Sequence, residues 1–157
     1  MKKFLVLTAI FLIALLTLTG CTENKYNASL SDNAREWVKD EFADDNPTKG
    51  LNANGSYPES RTFIIDTQEK YDEILLSDID ELNIDFEKQM LVVYTFTTIY
   101  HRKYYLSGLN ADNRVLSINY KMETKSGTGD ASLPYQRWFV IKLDNLDIDS
   151  VEIKEIS

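Results

Sequence analysis

Between Val115 and Met122 the side chains change sides at every residue. Leu116, Ile118, Tyr120 and Met122 fall on one face, and Val115, Ser117, Asn119 and Lys121 fall on the other. A two-residue period with one apolar and one largely polar face is the pattern of a half-exposed antiparallel strand. Slipping its register by one residue would put all four apolar groups into water. The chain must therefore build a sheet, and the apolar side of that sheet needs a second layer.

Other segments supply the rest of the sheet. Arg61–Ile65 is short and rich in β-formers, and Gln89–Thr98 carries Leu91-Val92-Val93-Tyr94 and Phe96, the composition of a central strand. Arg102–Leu109 alternates loosely through Tyr104 and Leu106. Gln136–Leu143 places Trp138 and Val140 on one face and Phe139, Ile141 and Leu143 on the other, and Val151–Ile153 closes the set. Gly108–Arg114 and Ser126–Asp130 read as hairpin connections.

Two segments read as helices. In Ser31–Phe42, Ala34, Trp37, Val38 and Phe42 recur at helical spacing, with Ser29 or Ser31 as cap and Asp44-Asp45-Asn46-Pro47 as stop. Asp66–Leu76 has Asp66 as its cap, Glu69 at the capping-box position and a buried stripe of Tyr71, Ile74 and Leu75. Thr48–Ser60 is a loop marked by Gly50, Gly55 and Pro58. The expected fold is a single α+β domain over residues 29–157, best defined from 61 to 156. It has a mainly antiparallel sheet of about five or six strands, with one or two packed helices. A β-sandwich is the alternative.

The 157 residues carry 17 basic and 25 acidic side chains, one Cys and one His, for a formal charge of −8. One Cys excludes a disulfide scaffold, and one His with one Cys excludes the usual zinc sets. The acidic balance argues against a nucleic-acid partner. No cofactor and no metal are expected.

The amino terminus follows a different grammar. Lys2 and Lys3 precede an uncharged stretch from Phe4 to Thr19, apolar apart from Thr8, Thr17 and Thr19. It is short for a membrane-spanning helix and suits a signal h-region. It ends in Leu18-Thr19-Gly20-Cys21, which resembles the lipobox of bacterial lipoproteins. That resemblance implies a signal peptide over residues 1–20, a diacylglyceryl thioether on Cys21 and cleavage just before it. Fatty acyl chains such as palmitate would then hold the chain to a membrane. Two chains suffice for stable anchoring where one binds only reversibly. Residues 21–28 read as a polar tether. The expected place is the cell envelope, with the domain on the extracytoplasmic side. Losing Lys2 and Lys3 with the leader takes the formal charge to −10.

Within the body, Ile84-Asp85-Phe86-Glu87-Lys88-Gln89-Met90-Leu91-Val92-Val93 and Leu133-Pro134-Tyr135-Gln136-Arg137-Trp138-Phe139-Val140-Ile141 form a second resemblance. They are similar to the strand leads of small bacterial lipoprotein domains like the C-terminal domain of the protease-complex lipoprotein PrcB. The similarity covers about Thr62 to Ile156. Arg102-Lys103-Tyr104-Tyr105 stands where that group has a Gly-Gly-Tyr segment. The resemblance implies a protein that accompanies another envelope protein, and it implies no catalytic residues.

No nucleophile elbow accompanies His101, which reads as a surface residue of the turn Thr97–Arg102. Asp78-Ile79-Asp80, Asp144 to Asp149 and Asp44-Asp45-Asn46 offer oxygen ligands, but solvated acidic turns are the plainer reading. Lys125-Ser126-Gly127-Thr128-Gly129-Asp130 lacks P-loop spacing. The local exception to acidity is Tyr100-His101-Arg102-Lys103-Tyr104-Tyr105, which mixes cations with aromatics. Arg and aromatic side chains anchor interfaces. The candidate binding face is therefore Tyr100, Arg102, Lys103, Tyr104 and Tyr105, with Trp138 as a neighbour and Thr95, Thr97 and Thr98 along the same edge. The expected function is a non-enzymatic, lipid-anchored envelope protein that binds another exported protein. A solute- or glycan-binding lipoprotein is the alternative.

Overall fold

The computed structural model describes residues 25–42, 59–77, 79–123, 131 and 134–156. The leader, Cys21, Asp44-Asp45-Asn46, Asp78 and the Ser126–Asp130 connection lie outside the described residues.

The centre of the molecule is one antiparallel ladder. β3 (Gln89–Thr98) pairs with β6 (Tyr135–Asp144) over ten register positions, from Gln89 opposite Asp144 to Thr98 opposite Tyr135. β1 (Ser29–Ser31) flanks β6, and β2 (Arg61–Ile65) flanks β3, giving a four-stranded antiparallel sheet in the order β1-β6-β3-β2. A second sheet holds β4 (Tyr104–Asp112), β5 (Val115–Met122) and β7 (Ser150–Glu155), with β5 central. β4 is antiparallel to β5, and β7 is parallel to it. That parallel pair is possible because β6 in the other sheet lies between β5 and β7 in sequence, so the connection crosses the whole molecule.

Both faces of the central ladder are apolar. Met90 and Val92 from β3, with Ile141 and Leu143 from β6, pack against Leu116 and Ile118 of β5. Leu91, Val93, Trp138 and Val140 point the opposite way, toward α1 (Gln68–Ile74) and Leu75. The result has three layers: helix and loops, then the four-stranded sheet, then the three-stranded sheet. Burying each of these large side chains contributes roughly 1.5–3 kcal/mol, so the ladder carries two cores at once.

Several expectations are corrected. The mainly antiparallel α+β class holds, but among the described residues there are seven strands in two sheets rather than one sheet of five or six, packed with one helix. Alternation reveals a strand's faces but not its sheet. Ser31–Phe42 is not an α-helix: it contains the end of β1, a 3-10 turn at Arg35–Trp37 and a bridge from Val38 to Leu75. Its backbone donors serve other elements, with Ala34 N–H donating to Trp138 O (3.0 Å). The apolar spacing still has its use, because Ala34 and Val38 are fully buried against α1 and β6. The cap of α1 is Thr67 rather than Asp66, its hydroxyl accepting from Lys70 N–H (3.3 Å), while Asp66 pairs with Lys70 Nζ (2.7 Å).

Part of the 21–28 segment, read as a polar tether, is packed into the domain. Tyr26 and Ala28 are buried beside Leu143 and Met90, and Asp144 N–H donates to Tyr26 O (2.9 Å). The loose alternation of β4 has a local cause. A bulge between Leu106 and Gly108 shifts the pattern by one, so Leu106 and Leu109 both reach the inter-sheet core. The turn from β4 to β5 is tight, with Asn113 and Arg114 both at positive φ (49° and 63°), as a two-residue primed hairpin requires.

Phe139 is fully buried between the sheets. Phe139→Ala is expected to lower unfolding free energy by about 3–5 kcal/mol. Ser117→Ala, on the outward face of β5, should change it by less than about 0.5 kcal/mol. Urea denaturation compares the two.

Candidate functional site

The two ends of the sandwich differ in chemistry. At one end the strands β3 and β7 finish and the strands β4 and β6 begin. Five rings converge there: Tyr94, Phe96, Tyr104, Tyr120 and Phe139. Phe96 to Phe139 is 5.0 Å edge-to-face, Tyr94 to Phe96 is 5.3 Å stacked, and Tyr120 to Phe139 is 5.3 Å edge-to-face. These are favourable aromatic geometries. Burial pushes the phenols of Tyr104 and Tyr120 up. Glu155 acts in the same direction on both, while the Thr98 hydrogen bond opposes it at Tyr104.

The loop from β3 to β4 adjoins the ring cluster, with Ile99 and Tyr100 lining one groove with Tyr94 and Phe96. Ile99 and Tyr100 are each 37% exposed, large for apolar groups in a packed loop. The Arg102 guanidinium lies over the Tyr100 ring at 5.0 Å. His101 stacks on Tyr135 (4.7 Å), and Tyr135 Oη donates to Tyr100 O (2.7 Å). Beside the loop is a groove of about 600 Å³ lined by Tyr94, Phe96, Thr98, Tyr100, Pro134 and Glu155.

A half-buried ion pair fixes this end in place. Arg137 Nη2 meets Asp32 Oδ2 at 3.1 Å and donates to Arg102 O at 3.3 Å, while its guanidinium packs over Tyr104 at 5.4 Å. The same Asp32 carboxylate accepts from Tyr104 N–H (2.9 Å). One arginine and one aspartate thus join the segment after β1, the starts of β4 and β6, and the exposed loop.

The expected face is divided by the fold. Tyr100 and Lys103 are exposed and Arg102 is half-buried, all on one loop. Tyr104 is 4% exposed and belongs to the ring cluster. Tyr105 is exposed but borders a separate groove of about 590 Å³ between β1 and β4. Trp138 is fully buried on the helix side, opposite Phe139 in the alternation of β6, and so is no neighbour of the face. Thr95 shares that buried side, and Thr98 is nearly buried. Ile99, Pro134, Tyr135 and Phe96 were absent from the sequence-derived face. The signal for Ile99 was an apolar residue beside Tyr100, just beyond a strand that had already filled its core positions.

The opposite end is acidic and internally paired. Arg114 bonds Asp149 through Nε (2.6 Å) and Nη2 (2.7 Å) and also pairs with Asp147. Asp144 accepts from Asn27 Nδ2 (2.9 Å), and Asn145 Nδ2 donates to Phe86 O (3.1 Å). The carboxylates of Asp144, Asp147 and Asp149 thus each accept from a protein donor. Among the described residues no three His, Cys, Asp or Glu side chains gather into a metal-ligand set. The Arg114 bond holds the Asp149 carboxyl below its ordinary 3.8, and Lys88 does the same for Asp85.

No protein-family model, curated protein or solved structure matches this chain.

Two outcomes follow from the pairs. Asp32→Ala strands Tyr104 N–H and Arg137, and should cost about 2–4 kcal/mol by urea denaturation. Asp149 and Asp85 have depressed folded pKa values. Their contribution is therefore complete above 3.8 and lost as pH falls through the lower folded values. Arg114→Gln should flatten the acid limb of the urea-midpoint profile below about pH 4, leaving the neutral-to-pH 5 region parallel to the parent.

Proposed function

We propose that this chain is a lipid-anchored cell-envelope protein, without catalytic activity of its own, that binds another exported protein through its aromatic end. The observation that carries the reading is the exposed Ile99–Tyr100 pair, with Arg102 over the Tyr100 ring, sharing a groove with Tyr94 and Phe96 of the ring cluster. Exposed apolar groups beside packed aromatic rings, with Arg102 and Lys103 on the same loop and Glu155 on the groove, have the make-up of a protein interface. Three of the four exposed large apolar residues among those described, Ile99, Tyr100 and Tyr105, lie at or beside this end. The lipobox-like Leu18-Thr19-Gly20-Cys21 supports the anchor, and the resemblance of the 84–93 and 133–141 segments to accessory lipoprotein domains supports the accessory role. Arg102 and Lys103 favour a partner surface with carboxylates around an apolar centre.

Chemical cross-linking on native membranes, followed by pull-down and mass spectrometry, tests the reading. One dominant partner is expected, lost with Cys21→Ala. For that partner, Tyr100→Ala and Arg102→Ala should each weaken binding by about tenfold, or about 1.4 kcal/mol, at unchanged Tm. Undiminished binding in both variants overturns the face.

The groove of about 600 Å³ beside Tyr100 favours a second reading, a solute- or glycan-binding lipoprotein, since its size fits a small ligand. A cell-wall fragment, sugar or short peptide that raises the Tm of the parent but not of Tyr100→Ala would move the assignment there.

A further inference from the structure

The described chain begins at the end of the sandwich opposite the aromatic face. Lys25 and Tyr26 lead into β1, Tyr26 O accepts from Asp144 N–H, and Tyr26 Oη accepts from Ala111 N–H (3.2 Å). Asp144 is the last residue of β6 and Ala111 is next to last in β4. From there β6 runs back to Tyr135, and its partner β3 runs forward to Thr98, where the exposed loop starts. Ten strand residues at about 3.3 Å each separate the two ends by about 30 Å.

We propose that the anchor leaves the domain at this acidic end, so that the aromatic face is held away from the bilayer and meets its protein partner in the aqueous phase. The proposal rests on the anchoring reading above and adds the direction in which the site points. Cys21 is four residues from Lys25, and four residues span at most about 14 Å. That reach is half the length of the sandwich. It lets the acidic end approach the lipid and is too short for the molecule to stand inverted on Ile99 and Tyr100, so only a molecule lying on its side could bring them to the surface.

Charge sets the gap at the near end. The turns 85–88, 112–114 and 144–149 hold six acidic and two basic residues. An anionic lipid surface repels them within a Debye length, about 8 Å in physiological salt. The near end therefore hovers on its tether. Arg102 and Lys103, at the far end, lie several Debye lengths from the lipid charge and are left for a soluble or membrane-tethered protein surface. Membrane docking by Tyr100, Arg102 and Lys103 is the rival that this geometry disfavours.

The test uses the full-length, lipidated protein in vesicles of phosphatidylglycerol and phosphatidylethanolamine that carry an acceptor dye on their headgroups. A thioether-blocked Cys21 leaves an introduced Cys as the sole thiol, so Glu87→Cys and Lys103→Cys each take one donor dye. Energy transfer is expected to be at least about threefold weaker from position 103 than from position 87, given their difference of about 30 Å in height. Equal or stronger transfer from 103 overturns the orientation and makes the bilayer the occupant of the face. Mass spectrometry of the same preparations separates the two claims. A Cys21 without diacylglycerol overturns the anchoring reading and the orientation with it, whereas a lipidated protein with equal transfer overturns the orientation alone.

Discussion

The ten-position pairing of β3 with β6 is the constraint on which the molecule depends. Its outward residues Leu91, Val93, Trp138 and Val140 make the floor for α1, and its inward residues Met90, Val92, Ile141 and Leu143 make the roof over β5. A sheet in this position must be apolar on both faces, and each face demands its own cover. The helix, the 3-10 turn and the second sheet are the covers. The ladder also sets the distance between the acidic and aromatic ends, so the same pairing that builds the core separates the two surfaces.

Much of this was legible in the residues. The alternation in β5 and β6 assigned their faces correctly, because a period of two leaves no freedom once one face is buried. Sheet membership was not legible, since nothing in a strand's own pattern says which other strand it pairs with. The Ser31–Phe42 segment was misread for an instructive reason. Ala34, Trp37, Val38 and Phe42 have helical spacing because they touch a core that a 3-10 turn and a bridge can also reach. The long-range bond from Ala34 to β6, and the grip of Arg137 on Asp32, override the local preference. In β4 the bulge after Leu106 hid the period.

The candidate site was half legible. The mixed cation–aromatic segment after β3 drew notice to a loop whose Tyr100 and Lys103 are exposed, but composition cannot say which rings turn inward. Tyr104 became part of the base, and Trp138, one position out of phase with Phe139, went to the far side of the sheet. What remains on the surface is smaller and more defined: Ile99, Tyr100, Arg102 and Lys103 beside the ring cluster. Of the acidic turns considered for oxygen ligands, the one from Asp144 to Asp149 is internally bonded by Arg114 and Asn27, and it gives the opposite end much of its negative character.

The central claim is that this small loop is the face a protein partner touches. Site-specific photo-cross-linking tests it most directly, with a photoreactive side chain placed at Ile99 in one strain and at Leu76 in another. Leu76 is the natural comparison, being 44% exposed and two residues beyond α1, away from the ring cluster. On native membranes the account predicts a discrete protein adduct from position 99 and none of that mass from position 76. Lipid adducts alone from position 99, or the same protein adduct from both positions, would contradict it.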